Sequence, residues 1–206
     1  MISYLFTNPL LFFIVIIGLV LAITIHEFAH ALVADKLGDP TPRSQGRVTL
    51  NPLAHLDPLG TMAMLFTRFG WGKPVQFDPY NLKEPLRDTA LIALAGPVAN
   101  IIVATLISVL IHLLPLPEMM TLALVQILFI NLSLAIFNLI PIYPLDGSKI
   151  ILVILPKEMA FEYEQMMHQY GMFILLVMIL PLWNGVSVVS TLVSPVLNLL
   201  YGLFLF

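Results

Sequence analysis

Apolar positions in this chain form long uninterrupted segments, not the alternating or helical-period patterns of a soluble protein. The first segment carries no charge from Leu10 to Ile25. Because about 20 apolar residues cross the hydrocarbon core of a bilayer as a helix, each such segment predicts a membrane span. Charged residues, prolines and glycines separate these segments. The predicted spans cover residues 9–34, 89–114, 119–139, 163–180 and 186–206.

Two shorter apolar pieces do not fit an ordinary span. Leu59–Phe69 is too short, which favours a re-entrant or interfacial element, or a hairpin with the strand-like segment Lys73–Phe77. Pro141 and Pro144 break the third span, and a short helix is expected over Asp146–Leu155. The predicted fold is therefore all-α, a polytopic bundle of about five to six transmembrane helices with a short re-entrant or β-hairpin element between the first two full spans.

Composition supports a protein embedded in a lipid bilayer. The chain is 59% hydrophobic and 10% charged, whereas a soluble domain carries about 25% charged residues. We expect one integral-membrane domain over residues 1–206, with a core at 9–155 and C-terminal helices at 160–206. The net charge of −3 and the lack of a basic stripe exclude a nucleic-acid partner. Without cysteine, any metal must be held by nitrogen and oxygen.

The basic residues predict the orientation of the spans. All 9 fall between the first and second full spans or after the third, and the positive-inside rule makes that side cytoplasmic. The N-terminus then lies outside; it lacks the basic region and cleavage site of a signal peptide. The absence of cysteine and the outside N-terminus fit a prokaryotic cytoplasmic membrane. The 9 basic residues are Lys36, Arg43, Arg47, Arg68, Lys73, Lys83, Arg87, Lys149 and Lys157.

The first span contains an H-E-x-x-H segment, His26-Glu27-Phe28-Ala29-His30. Positions i and i+4 of a helix share a face, so both imidazoles can point at one metal ion while Glu27 sits beside it. Zinc accepts neutral imidazole nitrogen, and a nearby glutamate can take a proton from water and return it to a leaving amine. The segment lies about 13 Å inside the cytoplasmic end of its helix, so a hydrolytic site there needs a polar recess.

A catalytic zinc site has three protein ligands, and the two histidines supply only two of them. Asp146 is the first carboxylate after a long, largely uncharged stretch, and it lies at the same membrane side as His26. Its position before Gly147 and a new helix would equally suit an N-cap, and one carboxylate can fill both roles.

Three motifs together resemble the site-2 protease family of intramembrane zinc metalloproteases. They are H-E-x-x-H, Gly96-Pro97-Val98-Ala99-Asn100, and the N-x-x-P-x-x-P-L-D-G pattern from Asn138 to Gly147. The resemblance implies that His26, His30 and Asp146 bind one zinc ion per chain and that Glu27 is the general base. It also implies that Asn138 hydrogen-bonds the scissile carbonyl or the tetrahedral oxyanion. It makes Gly96 and Asn100 possible substrate-binding or auxiliary residues; an interhelical hydrogen bond is the alternative for Asn100. The implied activity is that of a zinc metalloendopeptidase.

A further polar cluster, Asn51 to Gly60, is similar to the N-P-x-x-H-x-D-P-x-G segment of compact members of that family. His55 could contact substrate, add a metal ligand, or only stabilise a turn. The expected partner is a transmembrane-helix protein substrate, cleaved to release a signal or to clear signal peptides. An inactive homologue that binds transmembrane helices and a membrane zinc-binding or transport protein are the alternatives. The substrate's identity and the oligomeric state stay open.

Overall fold

A computed structural model describes residues 2–67, 70–181 and 185–205, and these residues form helices joined by turns. Arg68 and Phe69 at the end of the predicted 59–69 piece, Asn184 in the last predicted turn, and Phe206 lie outside the described residues. The helices are α1 (Ile2–Thr7), α2 (Pro9–Leu37), α3 (Thr41–Ser44), α4 (Pro58–Thr67), α5 (Pro85–Leu113), α6 (Glu118–Asn138), α7 (Gly147–Ile154), α8 (Lys157–Ile179) and α9 (Val188–Leu205).

Local sequence sets the ends of the helix that carries the H-E-x-x-H segment. Asn8 caps the start of α2 by accepting the Leu11 amide at 3.1 Å, and Pro9 occupies the first helical turn. Gly38 ends α2 in the left-handed conformation, with φ of 112°, a conformation that favours glycine. Between these two ends, α2 is one continuous helix that includes both histidines.

Among the described residues, four helices are long and apolar enough to cross a membrane: α2, α5, α6 and α9. Their outward faces expose large apolar side chains, including Phe13, Leu106, Leu122 and Leu199, as expected for surfaces in contact with lipid. The chain is an integral membrane protein with a helical bundle fold. The helix α8 covers the predicted span 163–180, but its first half is polar and it is not among these four. The span at 163–180 therefore stays a prediction.

The centre of the bundle is formed by α2, α5 and α6, which pack against one another. Small residues permit close approach: a Cβ atom on Gly18 of α2 would lie 2.9 Å from Ile130 of α6. The helix α9 packs on the outer side of α5 and α6. The buried side chains at that contact are Ala104, Leu128, Leu132, Val193 and Leu197. This arrangement leaves the side of α2 that bears His26 facing α5.

The connection between α2 and α5 contains no β-strand within its described residues. It forms the helix α4, which is too short to span a bilayer, and a single antiparallel bridge between Leu56 and Gly72. A short interfacial or re-entrant helix fits α4, whose Leu59, Met62 and Phe66 are exposed. The predicted hairpin with Lys73–Phe77 is not confirmed. The Val75 amide of that segment donates to Glu27 of α2 at 2.9 Å, and its Lys73 amide donates to His55 O at 2.8 Å.

Candidate metal centre

The two histidines of α2 lie side by side on its inner face. Their ring centroids are 4.6 Å apart with the planes perpendicular, and His26 and His30 are 4% and 7% exposed. The four-residue spacing produces this arrangement because it returns the second side chain to the same face one turn later. Both Nε2 atoms point away from α2 toward the turn that follows α6.

Hydrogen bonds to the other ring nitrogens determine the tautomer of each histidine. His30 Nδ1 lies 2.6 Å from the Ile92 carbonyl oxygen, which can only accept a hydrogen bond. His26 Nδ1 lies 2.7 Å from Asn100 Oδ1. The amide nitrogen of Asn100 donates to Ala22 O at 3.1 Å and to Asn131 Oδ1 at 2.9 Å, so the oxygen faces His26. Both Nδ1 atoms therefore carry the hydrogen, and both Nε2 lone pairs are free to bind a metal ion.

Asp146 reaches the histidines from the turn between α6 and α7. Its Oδ2 atom is 3.1 Å from His26 Nε2 and 3.2 Å from His30 Nε2. Gly147 allows this approach, because a Cβ atom there would lie 2.3 Å from the Leu139 carbonyl oxygen. Asp146 occupies the residue before α7 but its side chain makes no capping hydrogen bond. The carboxylate is directed at the imidazoles and does not cap the helix.

This donor set fits a zinc ion. Two Nε2 lone pairs and an Asp146 oxygen face one another, which is unfavourable unless a cation or a proton lies between them. Ligand atoms about 2.0–2.2 Å from a tetrahedral zinc ion are about 3.4 Å apart, close to the observed 3.1 and 3.2 Å. Nitrogen and oxygen donors suit zinc, and three protein ligands leave the fourth position open.

Gly96 forms the wall of α5 that faces these candidate ligands. A Cβ atom at this position would lie 2.5 Å from His30 Nε2 and 2.6 Å from His26 Cε1. Any larger residue must therefore displace the imidazoles. The segment Gly96 to Asn100 lies inside the continuous helix α5, and the interhelical hydrogen bond expected as the alternative for Asn100 is present. That same bond orients His26.

Glu27 lies beside the histidines and contacts two loop segments. Its Oε2 atom accepts the Val75 amide at 2.9 Å, and the Arg47 guanidinium lies 3.9 Å from the same oxygen. The Glu27 side chain is 13% exposed. The segment Lys73–Phe77 therefore covers this side of the site.

A cavity of about 100 Å³ joins these groups. Asn138, at the end of α6, lines it together with the ligands and Glu27, and its amide nitrogen donates to Leu134 O at 2.9 Å. Lys149 and Phe77 lie at another part of the wall, with the ammonium 4.9 Å from the ring centroid. The cavity is large enough for a few water molecules but not for a folded helix.

Comparison with known proteins places the chain in a family. Residues 116–178, which include Asn138 and Asp146, match Peptidase family M50. The "Putative zinc metalloprotease YwhC" of Bacillus subtilis is 38% identical over 79% of this chain and 78% of its own length. The chain belongs to peptidase family M50. The "Putative zinc metalloprotease Rip2" of Mycobacterium tuberculosis is 31% identical over 66% of this M50 chain, which spans about half (55%) of that relative. No solved structure gives a significant match.

In this M50 chain, His55 does not lie with the converging atoms of His26, His30 and Asp146. His55 is fully buried, and its Nε2 lies 2.7 Å from Thr49 O. The residues around it stabilise turns: Asn51 accepts the Leu53 amide at 3.1 Å, and Asp57 accepts the Gly60 amide at 2.7 Å. These contacts favour the turn role over a metal-ligand role for the Asn51 to Gly60 cluster.

Two residues of the M50 site were missed by sequence reasoning. Asn131 of α6 accepts from the Asn100 amide that orients His26. Arg47 was used only to predict orientation, yet it is 3% exposed and faces Glu27. A polar residue within an apolar span was the available signal for Asn131. Arg47 lies in a polar loop, where a charge is ordinary, so no sequence signal marked it.

Proposed function

We propose that this chain is an intramembrane zinc metalloprotease that hydrolyses peptide bonds of single-span membrane proteins. Membership of peptidase family M50 supports the metalloprotease activity. One observation carries the rest of the proposal: His26 Nε2, His30 Nε2 and Asp146 Oδ2 converge beside Glu27 within a bundle of apolar helices. In this proposal residues 1–206 act as one membrane-embedded unit, with the metal site in the 9–155 core and the helices of 160–206 outside it.

The chemistry of hydrolysis follows from the residues around the cavity. When bound, zinc supplies a Lewis acid that polarises a water molecule and the scissile carbonyl. Glu27 accepts a proton from the attacking water and delivers it to the nitrogen of the leaving amine, so that no net proton is gained or lost by the carboxylate. Asn138 turns its amide from Leu134 toward the substrate carbonyl and stabilises the developing negative charge there.

A helical substrate must unwind before it can be cleaved, because all of its amides are hydrogen-bonded internally. The cavity volume agrees with this requirement, since about 100 Å³ holds no helix. The Lys73–Phe77 segment lines the cavity through Pro74, Val75 and Phe77. It can pair with an unwound peptide by strand addition through backbone groups other than the Lys73 carbonyl and the Val75 amide, which bind Arg47 and Glu27.

The proposed location of the site is the cytoplasmic side of a prokaryotic membrane. The basic residues Arg43 of α3, Arg47 and Lys73 lie in the connection that follows the metal-binding end of α2. Water would enter from that side, which is the side predicted to be cytoplasmic. Release of a membrane-bound regulator and clearance of signal peptides both place a substrate span beside such a site.

The test is cleavage of a tagged single-span model protein by purified enzyme in liposomes, comparing wild type with Glu27→Gln. The variant should retain zinc and lose cleavage by about 100-fold or more, because the amide cannot accept the proton. Glu118→Gln is the matched control, since Glu118 lies exposed in the first turn of α6. Cleavage by Glu27→Gln at the wild-type rate would contradict the proposed mechanism.

A further inference from the structure

Arg47 occupies an unusual place for a loop arginine in a membrane protein. It follows the short helix α3, and its backbone amide donates to Pro42 O at 2.8 Å. Its side chain is only 4% exposed. A buried guanidinium stays protonated, so it requires hydrogen-bond acceptors and a compensating negative charge. The contacts that satisfy these two needs indicate what the residue does.

The guanidinium of Arg47 connects three segments of the chain. One terminal nitrogen donates to Ala54 O at 2.5 Å, and the other donates to the Lys73 carbonyl oxygen. The second nitrogen also lies 3.9 Å from Glu27 Oε2. Arg47 therefore links the turn before α4, the segment that covers the cavity, and the carboxylate of the H-E-x-x-H helix.

The covering segment also donates a hydrogen bond to this carboxylate oxygen. The Val75 amide donates to Glu27 Oε2 at 2.9 Å, two residues after the carbonyl that Arg47 binds. Gly72 permits this close approach, because a Cβ atom there would be 2.8 Å from Ile23 of α2. A shift of the Lys73 carbonyl would thus move the Val75 amide and with it the position of Glu27.

We propose that Arg47 is a positioning residue for the hydrolytic reaction, and that its guanidinium fixes Glu27 and the Lys73–Phe77 segment in one arrangement. This inference rests on the proposed function, since it assigns Glu27 as the base. The guanidinium acts through its two-pronged geometry, which lysine cannot reproduce, and through its charge, which lysine keeps. Arg47 is not among the residues that line the cavity. In the described part of the chain it makes no hydrogen bond or ion pair with His26, His30 or Asp146, so we expect these three residues to bind zinc without it.

The first test measures the covering segment directly and needs no substrate. Hydrogen–deuterium exchange is compared for the full-length wild type, Arg47→Met and Arg43→Met in detergent. Arg43 is the matched control, an exposed arginine whose guanidinium donates to Asp35 at 2.7 and 2.6 Å. Arg47→Met should raise exchange within residues 70–77 by about tenfold, as loss of one charged hydrogen bond allows, and leave α5 and α6 unchanged. Arg43→Met should change neither.

The second test separates positioning from general structural support by kinetics per bound zinc. The probe is fluorescein-labelled casein, an unfolded protein that needs no unwinding. Arg47→Met should keep its zinc and its KM within about threefold and lose about 100-fold in kcat, the scale of a misplaced catalytic group. Arg47→Lys should recover about tenfold of that loss because it restores the charge.

Each outcome decides the inference. Wild-type kcat in Arg47→Met or Arg47→Lys, or unchanged exchange at 70–77, would overturn it. An Arg47→Met variant that loses zinc but keeps the wild-type kcat per bound zinc would also overturn it, because the role of Arg47 would then be only structural. If Arg47→Met does not fold, Arg47→Lys decides alone, with a tenfold lower kcat supporting the proposal. A wild type that cleaves neither casein nor a model span would refute the proposed function itself.

Discussion

Single residues determine whether two histidines and an aspartate from distant segments can share one ion. The spacing of His26 and His30 and the isolated position of Asp146 allowed the sequence to predict this set. The hydrogen bonds that fix their tautomers were less predictable, because the partner of His30 is a backbone carbonyl, that of Ile92. Because every residue has a backbone carbonyl, the sequence does not show which carbonyl will accept this hydrogen bond.

Gly96→Ala tests how closely α5 must approach the ligands. The added methyl group would lie 2.5 Å from His30 Nε2, so it must displace an imidazole. Zinc affinity should fall by about tenfold or more, on the scale seen when metal-ligand orientation is disturbed. The measurement is competition for zinc with a chelator of known affinity.

Gly202→Ala is the control for that substitution. Gly202 lies in α9, and a Cβ atom there would meet nothing within 4 Å. Its zinc affinity should equal that of wild type. A wild-type affinity in Gly96→Ala would mean that the helices separate easily and that Gly96 has no role at the site.

At the scale of elements, four of the five predicted spans correspond to long apolar helices of the described residues, because apolar length is a strong signal, whereas the loop between α2 and α5 was not predictable. Its conformation depends on buried polar contacts between residues far apart in sequence. Asp39 is fully buried just after α2. It accepts the Thr41 hydroxyl at 2.6 Å, the Asn81 amide at 2.8 Å and the Asp78 backbone amide at 2.8 Å. These bonds tie the end of α2 to the segment before α5.

Asp39→Ala should therefore destabilise the protein by about 2 kcal/mol or more, since several charge-assisted hydrogen bonds are lost together. Burial raises the pKa of Asp39, but the hydrogen bonds from Thr41, Asn81 and Asp78 lower it by more, so the net pKa is below its usual value. The stabilisation is then complete above the unfolded-state pKa of about 3.9 and is lost as pH falls through the lower folded-state value.

Thermal unfolding in detergent, followed across acidic pH, measures both effects. Glu84→Ala is the control, because its exposed ion pair with Arg87 at 3.0 Å contributes little. The variant Asp39→Ala should show a smaller loss of stability than wild type as pH falls below about 4. Equal unfolding temperatures for wild type and Asp39→Ala at pH 7 would contradict the role assigned to this carboxylate.

At the scale of the whole molecule, the sequence predicts orientation through the placement of its 9 basic residues. The chain contains no cysteine, so single cysteines report their location without background. Gln45→Cys lies in the exposed loop after α3, and Glu118→Cys lies exposed at the start of α6. In intact cells, a membrane-impermeant maleimide should label the second variant and not the first.

Labelling of both variants after the membrane is opened is the control for thiol accessibility. The opposite pattern in intact cells would place the metal site near the outer face. The number of spans is tested by the same approach with cysteines on either side of α8, whose polar first half leaves its membrane crossing a prediction.

The central claim is a metal site assembled from α2 and the turn after α6, and zinc content measures it most directly. Elemental analysis of the purified protein should find about one zinc per chain in wild type and in His55→Ala, because His55 donates to a turn carbonyl. His26→Ala and Asp146→Asn should each lose it. Zinc retained in Asp146→Asn would contradict the three-ligand site and require a different third ligand.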